Sequence, residues 1–177
     1  MNIKFIPHFS NLSKNQIRVD ERLVRGKAVT CPFRLYKMKQ EGINQIIDLR
    51  NSALLFSNIE KFFCRLLGIK YLNFPYKHRA NNLPQQNFFS SINKRIVNND
   101  GKTYMHCQYG KRRTGVCTAV YEKFCTKKSK QDILDDMINI GFQDVFLDKN
   151  TPKIQKYRQI LYDFIQRYFP EELKNLK

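Results

Sequence analysis

Hydrophobic positions along this chain follow two periods in turn, one of two residues and one near 3.6, and each switch marks an element. Gln16–Asp20 and Leu23–Ala28 read as short strands of an N-terminal edge. Pro32 in a first helical turn and Gly42 beyond the last bracket a helix. The isoleucines of Ile43–Leu49 predict a buried strand. Ser57-Asn58-Ile59-Glu60 has the form of a capping box, opening a helix that buries Ile59, Phe62, Phe63, Leu66 and Leu67 until Gly68 stops it. Ile69–Phe74 is the next strand. After a polar loop, Pro84 begins a helix with Phe88, Phe89, Ile92 and Ile96 on one face, and Asn98–Gly101 is turn material before a strand at Lys102–His106. Ser129 caps a helix that runs through Ile140 to Gly141. Thr151-Pro152 opens the last one, with Ile154, Tyr157, Leu161, Phe164 and Tyr168 as a core-forming stripe. Strands alternating with helices, without repeats or linkers, predict an α/β fold. The expectation is a single domain over residues 1–177, core about 16–168, with a central mostly parallel sheet and helices on both faces.

Length and composition narrow the classes. A chain of 177 residues can bury about two-thirds of the surface its unfolded form exposes. No apolar run approaches the roughly 20 residues that span a bilayer, and Met1–Asn15 lacks the continuous apolar stretch of a secretory signal. The five cysteines show neither metal-ligand nor disulfide-framework spacing, so no metal or cofactor is expected, and an odd count fits a reducing, cytoplasmic setting. The net charge of +17 has two readings, a lysine-rich solvated surface or attraction to a polyanion. Lys61–Asn99 contains no Asp or Glu at all, so its basic residues go uncompensated locally.

One string carries chemistry: His106-Cys107-Gln108-Tyr109-Gly110-Lys111-Arg112-Arg113-Thr114-Gly115. It follows the apolar Thr103-Tyr104-Met105 and precedes Cys117, Val120, Tyr121 and Phe124 at helical spacing. A cysteine is thereby placed where a strand ends and a helix is about to start. Backbone N–H groups in such a loop converge with the positive end of the helix and form an anion cradle. Arg113, six positions after the cysteine, adds a fork of donors matched to phosphate oxygens. A helix N-terminus and a neighbouring cation lower a thiol's pKa and favour the nucleophilic thiolate. The bland alternative for Cys107 is a small buried core residue. Gly110 permits a backbone conformation closed to other residues.

The string resembles the His-Cys-x5-Arg-Thr/Ser signature of the cysteine-based protein tyrosine phosphatase superfamily, and the short chain resembles its dual-specificity branch. Ile46-Ile47-Asp48-Leu49-Arg50 is similar to the family's central strand, and Gly68-Ile69-Lys70-Tyr71-Leu72-Asn73-Phe74-Pro75 to the strand leading into its general-acid loop. The resemblance covers roughly residues 16–168. It implies hydrolysis of phosphomonoesters through a phosphocysteine on Cys107, with Arg113 binding two phosphate oxygens. Thr114 would stabilise the departing thiolate, and His106 would orient the loop rather than act as acid or ligand. Gln108, Tyr109, Gly110, Lys111 and Arg112 would line the phosphate site.

The chain departs from the family at the general acid. Relatives carry an aspartate shortly after a segment like Phe74-Pro75, whereas here His78 stands at that place. Three expectations stay open. His78 is the acid, since an imidazolium titrates in the right range; the acid is Asp144 or Asp148; or the leaving group needs none. Lys77, Arg79, Lys111 and Arg112 around Arg113 suggest a substrate with more than one phosphate, a phosphoinositide or inositol polyphosphate, beside a phosphoprotein carrying phosphorylated Tyr, Ser or Thr. The lysine at 111 resembles that of relatives acting on phosphoinositides and inositol phosphates; the bland reading of Lys77 and Arg79 is a solvated charge pair. An anionic membrane surface is a further expected partner, nucleic acid ranks last, and a monomer is expected. The rivals are a phosphate-binding pseudophosphatase and an RNA 5′-phosphatase. Cys64 has two readings, plain burial or a protective disulfide with Cys107, the former preferred.

Overall fold

The computed structural model describes residues 16–51, 55–76, 86–137 and 140. Its elements follow as β1 (Gln16–Arg18), β2 (Leu23–Lys27), α1 (Pro32–Gln40), β3 (Ile43–Asp48), α2 (Leu55–Leu66), β4 (Lys70–Asn73), α3 (Gln86–Val97), β5 (Lys102–Cys107), α4 (Arg112–Cys125) and α5 (Lys130–Met137). The strands form one sheet in the order β1-β2-β5-β3-β4. Among the described residues only the β1–β2 pair is antiparallel; β2, β5, β3 and β4 run parallel. The α/β expectation and the mostly parallel sheet hold. Because β5 inserts between β2 and β3, the loop after its carboxyl end opens at a switch in strand order, where open α/β sheets bind ligands.

Strand alternation feeds two apolar layers. Leu23, Ile47, Leu49, Met105 and Cys107 face α3, α4 and α5 with Phe89, Ile92, Val116 and Val120. Val24, Ile43, Ile46 and Tyr104 face the other way, packing with Leu35, Met38, Cys64 and Ile69. Ile43 and Ile46 share a face although they are three apart, because the register slips between Ile43 and Gln45. Cys64 thus belongs to one layer and Cys107 to the other, and both thiols are free. Burial is the role the fold gives Cys64.

The expected caps are realised unevenly. Ser129 and Asp132 form a reciprocal box: the Asp132 N–H donates to Ser129 Oγ at 3.2 Å and the Ser129 N–H to Asp132 Oδ2 at 3.3 Å. Gly68, at φ +63, ends α2 with the Ile69 N–H donating to the Cys64 carbonyl at 2.8 Å and its own N–H to that of Arg65 at 3.2 Å. The box expected at Ser57 is corrected. The helix begins at Leu55, which puts Ser57 and Glu60 inside it, both buried. Its inward stripe is Ser57, Glu60 and Cys64, whereas Phe62 and Leu66, expected inside, are 57% and 66% exposed. The cause is electrostatic. Glu60 has buried cationic partners beneath the helix and sets the helix's rotation.

Residues 138 and 139 and the helix expected from Thr151 lie outside the described residues. Among the described residues no helix is long and apolar enough to cross a membrane.

Candidate active site

Cys107 is the last residue of β5, paired in register with Lys27 of β2, and α4 begins at Arg112. Between them Gln108–Lys111 make a tight turn around Gly110, whose φ is +71. A Cβ added there would lie 2.4 Å from the Gly26 carbonyl carbon and 2.8 Å from the Lys27 nitrogen. Glycine is therefore required twice, for the left-handed backbone and for close approach to β2. The first turn of α4 carries no acidic residue, and Lys111 at its N-cap makes no side-chain cap. The orphan N–H groups of that turn, with the helix's positive end, are left for an anion.

The sulfur of Cys107 lies at the floor of this cradle, and the residue is 3% exposed. Burial alone would push its thiol up. The Thr114 hydroxyl and N–H, the Arg113 guanidinium and the Tyr109 N–H outweigh it and hold the thiol below its ordinary value. Thr114 is fully buried and its hydroxyl has no partner at standard geometry among the described residues, so the sulfur is the charge it serves. The buried Cys64 and Cys117 and the partly buried Cys125 move the opposite way: desolvation pushes Cys64 up to about 12, Cys125 up to about 11, and Cys117 higher still. In a Cys31→Ser background, iodoacetate at pH 6.5 is expected to modify Cys107 first, as read by peptide mass mapping. Equal labelling of Cys125 would contradict the assigned thiolate.

Arg113 joins Cys107 and Thr114. Its Nη1 donates to the Leu49 carbonyl at 3.1 Å, which fixes the guanidinium at the carboxyl end of β3. The same carbonyl accepts the Tyr76 N–H at 3.2 Å, so the chain leaving β4 is pinned to the group that holds Arg113. Lys111 and Arg112 are partly buried, while Gln108 and Tyr109 are exposed, Tyr109 at 73%. The fold brings Cys107, Gln108, Tyr109, Gly110, Lys111, Arg112, Arg113 and Thr114 together. Lys77, His78, Arg79, Asp144 and Asp148 lie outside the described residues.

The sequence names His106 as a loop-orienting residue and Asp48 and Arg50 within a family-like strand, but it reveals neither their cluster with Glu60 nor the part played by Arg25. Arg25 of β2 is 2% exposed and reaches the loop's carbonyls. On the opposite face of the sheet, Asp48, Arg50, Glu60 and His106 form a fully buried charged cluster. Arg50 donates to both Asp48 oxygens, from Nε at 2.9 Å and from Nη2 at 2.8 Å, and pairs with Glu60 through Nη2. His106 Nε2 lies 3.1 Å from Glu60 Oε1 and its Nδ1 3.7 Å from Asp48 Oδ1. Burial would pull His106 down, but the charge and hydrogen bond of Glu60, with Asp48, raise it above its ordinary value. Asp48, Glu60 and His106 are close enough to hold a metal ion. Arg50 already supplies the positive charge between the two carboxylates, and the Tyr71 hydroxyl also donates to Asp48. The cluster reads as a support for β3 and β5. In the sequence Glu60 reads only as the last residue of a capping box, and its inward place follows from the helix as built.

Neither a protein-family model nor any curated protein matches the sequence. Solved structures do. The core catalytic domain of the PP-IP phosphatase SIW14 from S. cerevisiae, in complex with citrate, superposes with a TM-score of 0.71 at 20% identity, covering 92% of this chain and 90% of that one. TpbA of P. aeruginosa gives 0.61 at 17% identity, with 86% and 91% covered. A kinase associated phosphatase with its catalytic cysteine replaced by serine gives 0.61 at 16%, with 83% and 89% covered. The chain has the fold of the cysteine-based, dual-specificity-like phosphatases.

Proposed function

We propose that this chain is a cysteine-dependent phosphatase. The observation that carries the proposal is geometric: Cys107 ends β5 beneath a turn seated on β2 through Gly110, and Arg113 and Thr114 stand on the first turn of α4 beside it, an arrangement that favours the thiolate. In the first step the Cys107 thiolate attacks phosphorus, the S–P bond forms as the bond to the leaving oxygen breaks, and that oxygen takes a proton from a general acid. Arg113 and the loop N–H groups hold the equatorial oxygens through the transition state. Water then attacks phosphorus and gives a proton back to the deprotonated general acid, the S–P bond breaks, phosphate departs, and the thiolate is regenerated beside the Thr114 hydroxyl. His78 remains the favoured acid by its place in the sequence, with Asp144 and Asp148 as alternatives.

The substrate class favoured is a polyanionic phosphate compound, such as an inositol polyphosphate or phosphoinositide, ahead of a phosphoprotein. Lys111 and Arg112 at the rim, Lys77 and Arg79 by sequence, and the fold-level likeness to a PP-IP phosphatase support it. A cytoplasmic monomer fits the five free cysteines, and an anionic membrane surface fits the charge.

Phosphate release is expected from wild-type protein on an aryl phosphate. It should vanish in Cys107→Ser and fall in Arg113→Ala by on the order of 10²–10³ in kcat. A panel of phosphotyrosyl and phosphoseryl peptides, phosphoinositides, inositol hexakisphosphate and triphosphorylated RNA ranks the substrates. Turnover retained in Cys107→Ser defeats the proposal, and wild-type binding without turnover makes the cradle a recognition site. His78→Ala should lose alkyl phosphates far more than aryl phosphates; equal small losses would remove His78 from the reaction.

A further inference from the structure

β2 does more than neighbour the signature loop, because it holds the loop's carbonyl oxygens. Arg25 Nη2 donates to the Gly110 carbonyl at 2.8 Å and to the Lys111 carbonyl at 3.3 Å. The Ala28 N–H donates to the Gln108 carbonyl at 3.4 Å, and Gly110 rests against the Gly26 backbone. A peptide's N–H and C=O point in opposite directions, so carbonyls drawn outward onto β2 leave the amides of the next residues turned towards the centre. The long parallel pairing with β5 makes this anchor rigid.

Resting on the reading of the loop as a phosphate-transfer site, we propose that Arg25 is a positioning residue for that reaction, orienting the cradle's amides and placing a fixed buried cation behind the Cys107 sulfur. The side chain is 2% exposed, and its Nε has no partner among the described residues, so its hydrogen bonds are committed to the loop. Burial pulls Arg25 down to about 10, while the charges of Glu122, Cys107, Cys117 and Asp136 push back, and at any ordinary pH it remains a cation. Glu122, its acidic neighbour on α4, is itself tied to Lys128, which also binds Asp136 of α5 at 2.6 Å. Glu122 is thus shared between Arg25 and Lys128, no carboxylate of the described residues pairs with Arg25 at ion-pair distance, and after Glu122 the Cys107 thiolate is the next charge acting on it. The titratable and donor groups facing Cys107 are then Arg113, Thr114 and Cys117 from α4, the Tyr109 N–H from the loop and Arg25 from β2; the charges of His106, Asp48 and Glu60 lie across the sheet.

Two variants separate charge from geometry. Arg25→Met removes both, and Arg25→Lys keeps the cation but loses the planar fork. Three readouts apply to each: the pH dependence of Cys107 alkylation in a Cys31→Ser background, tungstate affinity, and kcat and KM on an aryl phosphate. Arg25→Met is expected to shift the alkylation profile to higher pH, weaken tungstate, and lower kcat by on the order of 10²-fold. Arg25→Lys should recover most of the alkylation profile while kcat stays low. A residue that only stabilised the fold would lower the melting temperature and leave all three unchanged in the folded protein. Wild-type profiles and turnover in Arg25→Lys and in any folded Arg25→Met overturn the proposal. Alkylation and tungstate binding need no turnover. If wild-type protein hydrolyses nothing, the phosphatase reading falls by itself while the role of Arg25 is still decided.

Discussion

Gly110→Ala protein is expected to lose on the order of 10²-fold or more of its kcat/KM on an aryl phosphate, an effect comparable to losing an oxyanion donor outright. Two penalties combine in that one methyl group. The residue holds φ at +71, a conformation that costs a side-chained residue about 1–2 kcal/mol. The new Cβ would also meet the Gly26 carbonyl oxygen at 2.4 Å, and that atom is backbone of a paired strand that cannot rotate away. The loop must move instead, and with it the amides that face the sulfur. Gly68 supplies the control. It has a similar φ of +63, and a methyl group added there would meet nothing within 4 Å, far from the loop at the end of α2. Gly68→Ala should therefore show the conformational penalty in thermal stability and leave kcat/KM alone. Equal activity in both variants would mean that the loop does not depend on its seat against β2.

Glu60→Ala should be the most destabilising single change in the described core, by about 3–5 kcal/mol, because it leaves buried charges without their counter-ion. Glu60 accepts from the Val29 N–H at 3.2 Å, pairs with Arg50 and faces His106 at 3.1 Å, all in a fully buried setting. For a chain of this size the loss corresponds to a melting temperature lower by roughly 6–20 °C. The pH dependence has a definite sign. His106 is raised in the folded state, so its contribution is complete below its ordinary value of 6.5 and is lost as pH rises through the raised one. Asp48 is lowered by Arg50, His106 and Tyr71 against the opposing effect of burial. Its contribution is complete above 3.8 and is lost as pH falls through the lowered value. Wild-type stability should then be greatest between 3.8 and 6.5, and its advantage over Glu60→Gln should shrink as pH rises past 6.5 and His106 loses its proton. A Glu60→Ala melting temperature within a degree or two of wild type would remove the cluster from the stability of the fold.

The hydrophobic pattern is enough to locate the strands and the fold class, because Leu23, Ile46, Ile47 and Met105 fill the two apolar layers as alternation requires, Ile43 joining them through the register slip. The loop is legible for a different reason: Cys107, Gly110, Arg113 and Thr114 are adjacent in sequence, so their convergence is local. What stays hidden depends on contacts between distant segments. Arg25 reaches residues 85 and 86 positions away, and nothing in Leu23-Val24-Arg25-Gly26-Lys27 announces an inward arginine. Phe62 and Leu66 read as core from the sequence since hydrophobicity alone sets the expected phase of a helix. The actual phase of α2 answers to Arg50 and His106, on β-strand ends that the sequence does not place beneath it. Asp48-Leu49-Arg50 is recognisable as a string, but its work is distributed. The two charged residues bind each other, and the leucine between them lends its carbonyl to Arg113.

The most direct measurement is a rapid acid quench of wild-type protein during turnover of an aryl phosphate, followed by mass analysis of the peptide containing Cys107. The expected result is one phosphoryl group on the sulfur of Cys107, accumulating further when Thr114→Ala slows its hydrolysis and absent in Cys107→Ser. Steady phosphate release with Cys107 unmodified at every quench time, or a phosphoryl group found on another side chain, would contradict nucleophilic catalysis at this loop.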